Sequence, residues 1–80
     1  MSQITTEDIE SALVDMCIAE REMLHQYIED SAGSAPEIKG ARTFKQYGVL
    51  TRDNGLVLKF EGGAEFDITI TQRRASSNAR

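Results

Sequence analysis

The sequence has no tryptophan, one cysteine, one proline and one histidine, and each scarcity removes a class of explanation. A lone Cys17 cannot form an internal disulfide, which points to a reducing compartment, by default the cytoplasm. One histidine and one cysteine cannot make a His/Cys metal cluster, and no run of acids has the spacing of an EF-hand loop. No GxxxxGK loop is present, so no nucleotide, metal or other cofactor is assigned. No apolar run approaches the roughly 20 residues needed to cross a membrane. Met1-Ser2-Gln3 lacks the basic stretch and apolar core of a secretory signal. No nucleophile, base and orienting group share a motif, so an enzyme is not expected.

What is present fits one small domain. Eighty residues with 40% hydrophobic content can form a core, although cores of this size are marginal and are often reinforced by oligomerisation. The longest pattern runs from Thr5 to Asp30, where neither glycine nor proline occurs. Thr5 suits an N-cap, Asp8 the third helical position of a capping box, and Ile4 with Ile9 a hydrophobic staple. At about 100° per residue, Ile9, Ala12, Leu13, Met16, Cys17, Met23, Leu24, Tyr27 and Ile28 fall on one face. The spacing therefore predicts one long amphipathic helix of roughly 39 Å.

Charge is unevenly divided. Residues 1–38 hold nine acids against one base, Arg21, whereas residues 39–80 hold eight bases against four acids. An acidic helix beside a basic sheet is expected, and such faces steer association.

Ser31 to Pro36 reads as a connection, with Gly33 ending the helix. From Thr43 the period becomes two. Asn54-Gly55 has the form of a two-residue hairpin turn, which would set Val49 opposite Phe60 and Thr51 opposite Leu58. Gly62-Gly63-Ala64 would make a second turn, setting Phe60 opposite Phe66 and leaving the sheet with one wet side. The expected fold is α+β: one long N-terminal helix packed on a three-stranded antiparallel meander, αβββ. The single domain would span residues 1–72, with residues 73–80 a flexible basic tail.

Several residues invite a chemical role. Glu20 projects onto the apolar face, where a buried carboxylate could act as a general acid, although a long side chain more often reaches solvent or pairs with Lys45 or Lys59. His25 projects onto the polar face and Cys17 onto the apolar one, as a solvated histidine and an inert core thiol would. Val14 and Ile18 fall outside the main stripe, and Phe44, Leu50 and Val57 fall on the wet side of the sheet. Strands of about seven residues cover only about 23 Å, so part of the helix overhangs. Pairing of two copies through the helices, with Val14, Ile18 and Met23 at the contact, would cover that surplus.

The function expected from these features is a non-enzymatic protein-binding module, homodimeric, that occludes or bridges a partner. Its acidic helix face (Asp8, Asp15, Glu22, Glu29) would meet a protein with a basic surface. In size, acidity and lack of catalytic motif the chain resembles the small inhibitors with which phages and other mobile elements occupy host machinery. The alternative is a nucleic-acid or nucleotide binder using Arg52, Lys59, Arg73 and Arg74 on the sheet and tail.

Overall fold

The computed structural model describes residues 3–74. Thr5 caps the first helix, α1 (Thr6–Ala19), as the sequence predicts. Its hydroxyl accepts from the Asp8 N–H at 3.1 Å while the Asp8 carboxylate accepts from the Thr5 N–H at 2.9 Å. The helix does not continue to Asp30 unbroken. Glu20 departs from helical geometry (φ −113°, ψ 31°) and a second helix, α2 (Arg21–Ala32), begins after it. No proline or glycine marks this bend. After it, Leu24 and Ile28 of α2 pack, partly buried, against the core. Backbone bonding resumes at once, with the Leu24 N–H donating to the Glu20 carbonyl at 3.0 Å. Gly33, at φ 89°, ends α2.

The sheet has three antiparallel strands in the order β1 (Ile38–Thr43), β2 (Asn54–Phe60), β3 (Glu65–Ile70). The expected α+β meander is present, but its first strand lies earlier than the period of two indicated. A bulge between Ile38 and Gly40 breaks the alternation of β1, so Ile38 and Ala41 face the core from positions three apart. Thr43 then caps a short helix, α3 (Phe44–Tyr47), through a reciprocal capping box with Gln46, and Gly48 closes it in the left-handed conformation.

Asn54-Gly55 is accordingly not a turn. Gly55 lies inside β2 with its φ negative, and Thr43, not Thr51, reaches β2, opposite Leu56. The second turn keeps its three-residue length but shifts by one residue. The Phe60 N–H donates to the Ala64 carbonyl at 2.9 Å, leaving Glu61, Gly62 and Gly63 as the loop, with both glycines at positive φ. Leu58 therefore opposes Phe66 and Leu56 opposes Ile68. That register differs by two residues from the expected one, so each side chain keeps its face.

Core packing explains the rest. Val14 and Cys17 of α1 meet Ile38, Ala41, Leu56, Leu58 and Phe60. The buried stripe of α1 is thus turned toward Val14, away from Ile9 and Met16. The far side of the sheet is not simply wet, since α3 covers part of it. Phe44 is buried over Gly55, and Val57 on the same face is 1% exposed. Two of the three residues that looked surplus there are covered by the chain itself, and only Leu50 remains fully exposed.

Candidate functional site

Because α1 sits over β1 and β2, it leaves β3 partly uncovered. Ile9 borders Ile70 in a shallow cleft that also includes Ile4 and Arg74. This cleft fixes which flank of α1 faces β3. Met16 lies two turns further along that flank, about 10 Å on, and three residues of β3 span a similar length, which would bring Met16 toward Phe66 and Ile68. These four side chains form an apolar strip: Ile9 is 39% exposed, Met16 41%, Phe66 57% and Ile68 36%. Phe66 leans edge-on against Phe60 at 5.6 Å between ring centroids, which holds the ring in place while leaving more than half of it to solvent.

The acids expected to bind a partner are divided by the bend. Asp8 and Asp15 lie on α1, while Glu22 and Glu29 lie on α2. Asp15 and Glu22 are exposed, and among the described residues neither has a cation within 4 Å. Asp8 is exposed but already serves the α1 cap. Glu29 is half-buried and stands 3.8 Å from His25 Nε2.

Of the residues expected between copies, Val14 belongs to the chain's own core and is not free for a second one; the buried stripe of α1 runs through it. Ile18 and Met23 remain exposed beside the bend.

The basic residues named for nucleic acid do not form one patch. Lys59 lies 3.8 Å from Glu65 and over the Tyr47 ring at 5.1 Å from its centroid. Arg52 stands beyond the opposite end of β2, and Arg73 and Arg74 follow β3 at that same end. Glu65 and Asp67 share the outer sheet face with Lys59 and Arg42, so that face carries both signs. Residues 75–80 of the expected tail lie outside the described residues.

The single groups that drew attention have structural employment. Glu20 is exposed at the bend. His25 is half-buried and its Nε2–H donates to the Ala35 carbonyl at 2.9 Å, tying the connection after α2 to the helix. Cys17 is buried, and burial pushes its thiol pKa up, which lowers its nucleophilicity. The Tyr47 hydroxyl donates to both oxygens of Glu65, at 2.9 and 3.0 Å, and this carboxylate raises its pKa. No group of three metal-ligating side chains occurs among the described residues, and no helix there is long and apolar enough to cross a membrane.

Glu10 is the residue that sequence reasoning missed. Its carboxylate accepts from the Gly55 N–H at 2.8 Å, at the point where β1 has ended and that N–H has no strand partner. The Asn54 side chain donates to the Thr6 hydroxyl beside it. The two contacts dock the start of α1 on the start of β2.

Comparison with protein-family models, with curated proteins and with solved structures finds no match to this chain.

Proposed function

We propose that this chain is a non-enzymatic protein-binding module that occludes or bridges a partner carrying a basic surface. One observation supports this reading above the others: Asp15 and Glu22 are exposed, with no cation within 4 Å among the described residues. Acids in that position meet water in the free protein and lose little on approaching a basic surface, so they add attraction and speed of encounter. A basic surface that ordinarily holds nucleic acid is a suitable target, and covering it would make the module an inhibitor. A homodimer in the cytoplasm fits the size of the chain and the unpaired Cys17.

The test is affinity capture and titration with the Asp15→Asn/Glu22→Gln double variant. Binding to the captured basic partner should weaken about tenfold at low salt, and the difference should shrink as salt rises. Equal affinity of the variant and the parent at low salt would rule this mode out.

A further inference from the structure

The apolar strip lies along an open strand edge, and the two together specify an occupant. In β2, the Phe60 N–H bonds to Ala64 on the β3 side, while the Glu61 N–H bonds to Glu37 on the β1 side at 2.8 Å. In an antiparallel ladder a residue directs both backbone groups to one side, and the side alternates along the chain. Ala64, Phe66, Ile68 and Ile70 therefore bond to β2. Glu65, Asp67 and Thr69 direct their N–H and C=O groups outward, where β3 meets no other strand among the described residues.

The two sheet edges differ. Strand β1 carries a bulge, Lys39 and Arg42, which are devices that discourage edge pairing. Strand β3, Glu-Phe-Asp-Ile-Thr-Ile, has a clean alternation, no proline and no bulge, and its only charges are the acids Glu65 and Asp67.

We infer that a second copy of this chain pairs with β3 along its open edge, antiparallel and two-fold, joining two sheets into one of six strands. Antiparallel residues directly opposite one another point to the same face, so such a pair places both helical layers on the same side. Phe66, Ile68 and Ile70 of both copies then lie on one face of the joined sheet, the face that carries the two α1 helices. Ile9 and Met16 close the strip from either flank, and the acidic outer surfaces of both copies face one direction.

Charge selects the register. Centred on Asp67, the pairing would set two like carboxylates opposite each other, which is unfavourable. Centred on Ile68, it leaves Glu65 opposite Thr71. Centred on Thr69, it sets Glu65 opposite Arg73 of the second copy, twice by symmetry, and Ile68 opposite Ile70 of the second copy. Both residues are exposed in the single chain, where Glu65 already meets Lys59 at 3.8 Å and accepts from the Tyr47 hydroxyl, so Arg73 would join an existing cluster, with Phe66 opposite Gln72 of the second copy.

This inference deepens the binding-module reading and rests on it for its purpose, but its test is independent of any other partner. Sedimentation equilibrium of the full chain should show a concentration-dependent dimer of two 8.9 kDa copies. Thr69→Pro should abolish it, because the lost N–H points outward and the β2–β3 bonds survive, as amide exchange of β2 would show. Arg73→Glu should weaken the dimer about tenfold, and adding Glu65→Arg should restore it. A monomer at millimolar concentration overturns the inference. So does a dimer that persists in Thr69→Pro, or a charge-swapped pair that fails to regain affinity. Each of these results would leave the salt-dependent binding of the acidic surface to stand or fall separately.

Discussion

Gly55 lacks a side chain because Phe44 occupies the place where one would go. A Cβ there would lie 2.5 Å from Phe44 Cε2 and would also strike the Ile68 carbonyl. Backbone cannot yield as a flexible side chain can, so Gly55→Ala should cost about 2–3 kcal/mol, read as a lower urea midpoint with an unchanged slope. Tyr47 supports a pH prediction. The Glu65 carboxylate accepts its hydroxyl proton and disfavours the phenolate, with help from desolvation and the negative charges of Glu65 and Asp67, against Arg42. The folded pKa is therefore above the ordinary value of 10.0. A raised folded pKa means that this contact supports the fold fully below the unfolded value and loses its contribution as pH rises through the folded one. In a Tyr27→Phe background, ultraviolet titration should place Tyr47 above its ordinary range, and Glu65→Gln should bring it down. An unmoved titration in Glu65→Gln would remove Glu65 as the cause.

At the scale of elements, the fold depends on ends and interruptions more than on helix or strand propensity. A four-residue helix such as α3 gains little from its own backbone bonds, because nucleation is costly. The reciprocal contacts of Thr43 and Gln46 at 3.0 and 3.1 Å hold its start, and Gly48 ends it. Thr43→Ala should therefore destabilise the protein by about 1 kcal/mol, lowering the melting temperature by about 4–8 °C, while Thr43→Ser should retain most of the stability. The larger consequence concerns Phe44, which α3 places over Gly55; a loosened α3 would expose this ring. The bend at Glu20 works in the same way. It exchanges the continuity of one rod for the packing of Leu24 and Ile28.

Across the whole molecule, the helical layer is offset from the sheet beneath it. Most of α1 lies over β1 and β2, and β3 extends past it with Phe66 and Ile68 half-covered. The offset leaves apolar surface and open backbone edge at the same border, and it leaves the acids on a separate face. Under the two proposals, the border would take a second copy and the acids a basic partner. A module built this way could pair and bind at once, since the two surfaces do not compete for the same residues.

Local patterns in the chain settled the start of α1, the stop at Gly33, the third strand and the α+β class, because capping groups, glycines and alternating side chains act within a few residues of themselves. The capping box at Thr43 to Gln46 is equally local, but it lies within the stretch whose period of two, with the turn signal of Asn54-Gly55, reads as a strand. Other features had no local mark. The bulge in β1 hid that strand by putting its apolar residues three apart. The break at Glu20 has no glycine or proline to announce it. Glu10 became the acceptor for Gly55 only because β1 stops one residue short of it. Which flank of α1 would be buried depended on where the sheet lay, and only the tertiary structure decides that: an amphipathic helix specifies that it has an apolar side, while the surface it packs against determines how much of that side remains for others.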